Sequence, residues 1–151
     1  MRLRTMLGLV ALVMIVIVGC ATPALSTSEV AADLDTFLVG DVVVGGTVAR
    51  GVPVTGTSMY VYQFGNGETT VAVLSPESPE RGSARVVTGR VVPFDGELTD
   101  DVTEAIEAHL VANGVDEDTL GAATNRSAGL IRTFTIANSA SFFILEDAPV
   151  E

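Results

Sequence analysis

The sequence predicts a mainly β fold, in which a small five-stranded barrel carries one α-helix inserted before its last strand. Three observations predict it. Valine-rich stretches with strand-like alternation follow one another after residue 38, glycines interrupt two of these stretches, and one later segment has the period of a helix. Glycine inside a strand marks a bulge or a sharp bend, which a small barrel requires at its corners. The length of 151 residues allows one such domain and an apolar segment before it.

The first two strands are predicted from valine alternation and from β-forming residues. Val42, Val44 and Val48 alternate with other residues, and Gly45-Gly46 interrupts them. Residues 50–57 contain two glycines and a proline and predict a loop. Residues 59–64 (MYVYQF) favour a strand because aromatic and β-branched side chains fit a pleated surface.

The third and fourth strands are separated by prolines. Gly65-Asn66-Gly67 is a strong tight-turn signal, and residues 69–74 complete a hairpin with the strand before it. Pro76 and Pro79 cannot donate to a β-ladder, so residues 75–80 are predicted to be unpaired. Residues 85–92 form the fourth predicted strand, which ends at a proline.

The helix and the last strand complete the domain. Val102, Ile106 and Leu110 recur at helical spacing, Thr99 or Asp101 can cap the helix, and Asn113-Gly114 predicts its end. Residues 116–128 are polar and weakly patterned, which indicates a loop with a short helix. The helical insertion is therefore expected over about residues 99–128, and residues 131–145 are expected to return to strand.

The N-terminal segment has the organisation of an export signal. Arg2 and Arg4 precede an apolar run over residues 6–18, which is shorter than the roughly 20 residues that a membrane-spanning helix needs. The run ends in Ile17-Val18-Gly19-Cys20, which resembles the lipobox of bacterial lipoproteins. The resemblance implies that the chain is cut before Cys20, the only cysteine, and that this residue is acylated on its sulfur and on its new amine. The alternative is an uncleaved anchor with an incidental cysteine.

The lipobox-like sequence also predicts how the chain is divided into segments. Residues 1–19 are expected to be a cleaved lipoprotein signal peptide, residues 20–37 a lipidated N-terminus and tether, and residues 38–151 the barrel domain. Within the tether, residues 28–34 are expected to form a turn or two of helix with Ser28 as its cap. Arg2 and Arg4 are not adjacent, which favours general secretion over the twin-arginine route. Ala21 after the cysteine favours the periplasmic face of the outer membrane, if the organism has one.

The strand motifs resemble a known fold family. Residues 40–48, 60–67 and 85–91 read GDVVVGGTV, YVYQFGNG and RVVTGRV. This outline is similar to the bacterial OB-fold domains of the tRNA-anticodon-binding-like class, with residues 135–139 as a plausible fifth strand. The resemblance implies an OB-like Greek-key barrel. The chain departs from the family pattern by about 40 residues inserted before the last strand.

The charge excludes one class of partner. Eight arginines, no lysine and 19 acidic residues give a net charge of −11, and without Arg2 and Arg4 the net charge becomes −13. Binding to a phosphate backbone needs clustered basic residues, so we expect no nucleic-acid partner. Tyr60, Tyr62 and Phe64 share one face of their strand, where they either stack bases or, as the second interpretation, fill the barrel or pack under the helix. The acidity favours the second interpretation.

No set of residues indicates catalysis or a resident cofactor. His109 is the only histidine and the only available base, and Ser127, Ser139 and Ser141 lack the Gly-x-Ser-x-Gly setting of a nucleophile. The acidic run at residues 116–118 lacks the spacing of a calcium loop. We therefore expect no catalytic residue, no cofactor and no metal site, and a non-enzymatic envelope protein that binds a protein, glycan or small molecule. A periplasmic chaperone that carries haem or a metal is the alternative.

Overall fold

Six strands and three α-helices make up the fold in the computed structural model, which describes residues 23–149. In chain order they are β1 (Leu25–Ser26), α1 (Thr27–Ala32), a 3-10 helix (Leu34–Phe37), β2 (Asp41–Pro53), β3 (Tyr60–Gly65), β4 (Thr70–Ser75), β5 (Ala84–Pro93), α2 (Asp100–Ala112), α3 (Glu117–Asn138) and β6 (Phe142–Glu146). The predicted signal peptide at residues 1–19 and the predicted lipidation site Cys20 lie outside the described residues. No helix of the described part is long and apolar enough to cross a membrane.

The sheet closes on itself through β2. The strand order is β1-β2-β3-β4-β6-β5, and β2 also pairs with β5, so β2 to β6 form a closed ring of five. Residues 41–47 of β2 pair with β5, and residues 47–53 pair with β3. The β4–β6 pair is parallel, and the other pairs of the ring are antiparallel. The predicted closed five-stranded barrel with its helical insertion before the last strand is confirmed, and it is compatible with an OB-like fold.

Two apolar clusters stabilise this architecture. The barrel interior contains Val30, Val42, Val44, Val48, Tyr62, Phe64, Val71, Val73, Val87, Val91, Phe142 and Ile144. The second cluster lies between one outer wall of the barrel and the two long helices, and contains Val54, Met59, Val61, Ala72, Leu74, Val92, Phe94, Val102, Ile106, Leu110, Ala123, Ala128, Ile131, Phe134, Phe143 and Leu145. The central strands β4 and β6 are therefore buried on both faces, which explains their almost unbroken apolar sequence.

The segment before β2 belongs to the folded domain from Leu25 onward. Strand β1 pairs in parallel with β2, and α1 places Val30, which has no exposed surface, in the barrel cluster. The Thr27 hydroxyl donates to the Thr69 carbonyl in the β3–β4 turn at 2.6 Å. The prediction that Ser28 caps this helix is wrong, because Ser26 is the N-cap of α1 and forms a capping box with Glu29. The hydrogen bonds of this capping box lower the pKa of Glu29.

The helical insertion is longer than the sequence predicts. Thr99 caps α2 as expected, through a hydrogen bond from the Val102 amide. Helix α3, however, continues to Asn138, so the strand predicted from residue 131 and the fifth strand predicted at residues 135–139 are wrong. The buried positions of α3 recur every three or four residues, which is the period of a helix. Its C-cap Ser139 adopts φ 50°, and the last strand begins at Phe142.

Thr135→Val should raise the free energy of unfolding by about 1 kcal/mol, because a buried hydroxyl without a partner opposes folding. Thr135 lies in the buried face of α3, is 1% exposed, and its hydroxyl has no hydrogen-bond partner within residues 23–149. Thr27→Val is the matched control, since that equally buried hydroxyl is bonded and its loss should cost about 1 kcal/mol. Chemical denaturation of both variants measures the two effects, and a loss of stability in Thr135→Val would contradict the account.

Candidate functional site

A polar cluster lies at the end of the barrel away from the β3–β4 turn. Strands β4 and β6 run in parallel and both end here, and β5, antiparallel to β6, begins here. Arg85 is two residues before the inward Val87, and Glu146 is two residues after the inward Ile144, so both follow the inward face of their strands. Tyr62 points inward from β3. The alternation of each strand thus brings these three side chains together.

The three side chains form a connected network. The Tyr62 hydroxyl donates to Glu146 Oε2 at 2.8 Å, and Arg85 Nη2 donates to Glu146 Oε1 at 2.6 Å. Arg85 Nη2 also pairs with the more exposed Glu77 of the β4–β5 loop. The Arg85 guanidinium carbon lies 5.6 Å from the centre of the Tyr62 ring, within the range of a cation–π contact. These contacts hold the side chains of the network in place at this end of the barrel.

Burial and neighbouring charges determine the protonation states of Tyr62 and Arg85 in this network. Burial raises the pKa of Tyr62, and the adjacent Glu146 carboxylate raises it further, so the hydroxyl keeps its proton. Burial opposes the charge of Arg85, but hydrogen bonding to Glu146 and the nearby negative groups outweigh it and raise the pKa of Arg85. The tyrosine is therefore a hydrogen-bond donor to Glu146, and the arginine is a permanent cation.

An open cleft of about 380 Å³ lies beside this network. Its walls are Glu77, Arg85, Val86, Thr88, Glu146, Asp147, Ala148 and Pro149. The Arg85 Nε is buried and has no hydrogen-bond partner among the described residues. Among the described residues, the cleft presents one guanidinium group, three carboxyl groups, one hydroxyl group and small apolar surfaces.

His109 lies in a separate cleft between α2 and the barrel wall. It is half-buried, and Asp41, Arg90 and Asp147 line the same cleft of about 240 Å³. Burial lowers the pKa of His109, and the charge of Arg90 lowers it further. Burial also raises the pKa of Asp147, with the nearby Asp41 carboxylate adding to the effect. Within residues 23–149, no three histidine, cysteine or acidic side chains, including the three that line this cleft, are placed so that they could hold a metal ion.

His109 should make the stability of the protein depend on pH. Because its pKa is lower in the folded chain, the unfolded chain binds more protons between that lowered pKa and the ordinary value of 6.5. The stabilising contribution is therefore complete above pH 6.5 and is lost as the pH falls through the folded pKa. We expect the free energy of unfolding of the wild type, relative to His109→Gln, to rise with pH across this window and then to level off. Denaturation at a series of pH values tests this, and a constant difference would contradict it.

The other candidate side chains have structural positions. Tyr62 and Phe64 are fully buried in the barrel, where they contact each other edge to face, which confirms that they fill it. Asp116 is the N-cap of α3, and Glu117 and Asp118 follow in its first turn, where the helix dipole favours acidic groups. The acidic run of residues 116–118 thus starts a helix that the sequence did not predict at this length.

The candidate serines are not placed beside the histidine. Ser127 is a fully buried residue of α3, Ser139 is the C-cap of that helix, and Ser141 lines a cleft with Thr99. None of these three serines lines the cleft that contains His109. The described residues therefore contain no nucleophile–base pair built from them.

Sequence reasoning missed the Tyr62–Arg85–Glu146 network. The Tyr62–Glu146 hydrogen bond joins residues that are 84 positions apart in the sequence, and the Arg85–Glu146 hydrogen bond joins residues that are 61 positions apart. No local spacing in the sequence connects them. One signal was present: Arg85 and Glu146 extend the inward alternation of two apolar strands, where an isolated charge requires a partner.

The comparisons with known proteins found no matching family model, no similar curated protein and no similar solved structure. The assignment of this chain to an OB-like architecture therefore depends on its strand order, register and closure. The functional proposal likewise depends on the residues of this chain alone.

Proposed function

We propose that this chain is a lipid-anchored cell-envelope protein whose OB-like domain is a non-enzymatic binding module. The observation that carries the proposal is the lipobox-like sequence Ile17-Val18-Gly19-Cys20 at the end of the apolar run. The Cys20 thiolate is the nucleophile that displaces the phosphate group of a glycerolipid, so that a thioether forms as the bond to phosphate breaks. Hydrolysis of the bond between Gly19 and Cys20 then frees an amine for a further acyl chain. Two or three chains hold a protein stably on a bilayer, whereas one does not.

The binding role is supported by the chemistry of the domain. Arg85, a half-buried cation, is engaged with two carboxylates, and no serine lies in the cleft of His109. The clefts along the barrel are open and lined by a mixture of polar and small apolar side chains, which suits a protein, a glycan or a small molecule. The net charge of −13 after processing disfavours nucleic acid. In an organism with two membranes, we place the protein on the periplasmic face of the outer membrane.

Cys20→Ser should abolish lipid attachment. Cys20 is the only thiol in the chain, so the wild type should incorporate radioactive palmitate and partition into detergent, while Cys20→Ser remains unprocessed and unlabelled. The double variant Cys20→Ser/Ala24→Cys is the matched control, since it keeps one thiol four residues away and should also remain unlabelled. Equal labelling of the wild type and Cys20→Ser would overturn the anchor.

Purification of the mature domain tests the binding role separately. We expect a protein without an absorbing or metallic ligand that captures a partner from the envelope. A Soret band, or a bound metal that is lost in His109→Ala, would instead support a chaperone that carries haem or a metal.

A further inference from the structure

One outer face of the barrel carries no charged side chain. Outward positions of β2 and β5 pair side by side, with Val43 opposite Thr88 and Gly45 opposite Val86. We call this surface the β2–β5 face, and it comprises Val43, Gly45, Thr47, Ala84, Val86 and Thr88. Val86 is 60% exposed and Val43 is 38% exposed, so apolar groups of this face contact solvent. Asp41 and Arg90, which are opposite each other, form its border toward α2. At its β6 edge, the Asp147 amide donates to the Thr88 carbonyl, and Val86 and Thr88 also line the cleft beside the polar network.

This uncharged face contrasts with the rest of the protein. After removal of the signal peptide, six arginines and 19 acidic residues remain. An acidic surface is repelled by the negatively charged headgroups of a bilayer, with an effect that extends about 10 Å at moderate salt. The valines and small neutral side chains of this face add no charge of their own, so the repulsion is lower here, and they suit the headgroup region, where apolar side chains become partly buried.

The chain enters the domain beside this same face. Strand β1 pairs with β2 at Val44 and Gly45, and a Cβ added at Gly45 would lie 3.4 Å from the Cβ of Ala24. Four residues of extended chain, from Cys20 to Ala24, span at most about 14 Å. A domain of this size is roughly 36 Å across. An anchor at Cys20 therefore holds this side of the barrel against the membrane and keeps the opposite side away from it.

We propose that the β2–β5 face rests on the headgroups of the bilayer that holds the acyl chains of Cys20. This inference rests on the lipid anchor of the proposed function. It adds an orientation: the β2–β5 face is covered by lipid, whereas α3 faces away and remains accessible to a partner.

Fluorescence quenching in vesicles tests this orientation. Val86→Cys and Ile136→Cys place single thiols at equally exposed apolar positions, since Ile136 on α3 is 58% exposed. In the lipidated protein Cys20 is acylated, so an environment-sensitive fluorophore attaches only to the introduced cysteine. The labelled proteins are reconstituted into phosphatidylglycerol–phosphatidylethanolamine vesicles that contain lipid with a spin label on its headgroup. We expect a loss of emission at position 86 and none at position 136. Ala84→Cys provides a second position on the face if Val86→Cys does not fold.

The other outcomes separate this inference from the anchor. If the protein does not associate with vesicles, the anchor is wrong and the orientation fails with it. If it associates but both positions are quenched equally or neither is quenched, the anchor stands and the orientation is overturned. Protection of position 86 without quenching, together with a doubled mass in sedimentation, would show that a second copy covers the face and would also overturn the inference.

Discussion

Gly89→Val should lower the free energy of unfolding by about 3 kcal/mol or more, one of the largest effects expected for a single substitution in this protein. A Cβ at this position would overlap the carbonyl oxygen of Leu145 and lie 2.9 Å from the Cα of Glu146 in the neighbouring strand β6. Both obstacles are backbone atoms, so β5 and β6 would have to separate at a rung of their ladder. The gain in strand propensity from valine, up to roughly 1 kcal/mol, is too small to offset this cost.

Gly46→Val should have a smaller effect of the same sign, about 1–3 kcal/mol. Its Cβ would lie 2.9 Å from both the Gly65 carbonyl oxygen and Phe64 Cζ, and the phenyl ring can move slightly. Gly129→Ala in α3 is the matched control, because no atom lies within 4 Å of its added Cβ and alanine favours a helix by up to about 1 kcal/mol.

Urea denaturation of residues 23–151 measures all three glycine variants. This fragment is preferable to one that begins at residue 28, because β1 and the N-cap of α1 lie before that residue. Stabilisation by both valine substitutions would contradict a glycine-bent barrel, as would a far-ultraviolet circular dichroism spectrum that shows helix alone.

Arg85→Met should destabilise the barrel by about 3 kcal/mol, because it leaves the Glu146 carboxylate buried without its cation. The side chains of Arg85 and Glu146 are 19% and 7% exposed, so solvent compensates little for the loss. The double variant Arg85→Met/Glu146→Gln should recover much of the stability, since glutamine removes the charge and still accepts from the Tyr62 hydroxyl. Glu77→Gln is the control, because that carboxylate is 43% exposed and its pair contributes at most about 1 kcal/mol.

A double-mutant cycle measured by denaturation tests this account of the network. If the effects of Arg85→Met and Glu146→Gln simply add, the two side chains are energetically independent and the account is wrong.

The sequence predicts the barrel well because its signals are local. Glycines interrupt the valine pattern at Gly46 and Gly89, and in the structure the backbone of a neighbouring strand approaches closely at both positions. The Gly65-Asn66-Gly67 signal likewise lies at the end of β3 and precedes β4, as a hairpin requires. A tight turn or a close approach restricts one or two residues, so a single sequence is sufficient to identify it.

Helix α3 was missed because tertiary packing overrides its local preferences. Residues such as Thr133, Phe134, Thr135 and Ile136 favour strands, and their composition matches β structure. The helix is stabilised by its buried face against α2 and the barrel, including Ile131. That gain depends on a surface formed by distant residues, and the sequence alone does not specify it.

The polar network at the barrel end was missed for a related reason. Whether Arg85 and Glu146 meet depends on the register of β5 against β6, which is fixed by the closed ring as a whole. Cys20, in contrast, is a candidate that only the sequence identifies, since its context is a linear motif. The functional proposal therefore depends on the N-terminal sequence, and the orientation on the membrane depends on the fold.

The N-terminal peptide of the protein purified from membranes tests the central claim most directly. Mass spectrometry should identify a chain that begins at Cys20, with a mass increased by a thioether-linked diacylglycerol and, where the amine is modified, by one further acyl chain. The same measurement on Cys20→Ser should give an unmodified peptide that retains residues 1–19. A wild-type chain that retains residues 1–19 and carries a free thiol at Cys20 would contradict the claim that this barrel is held on the membrane by lipid.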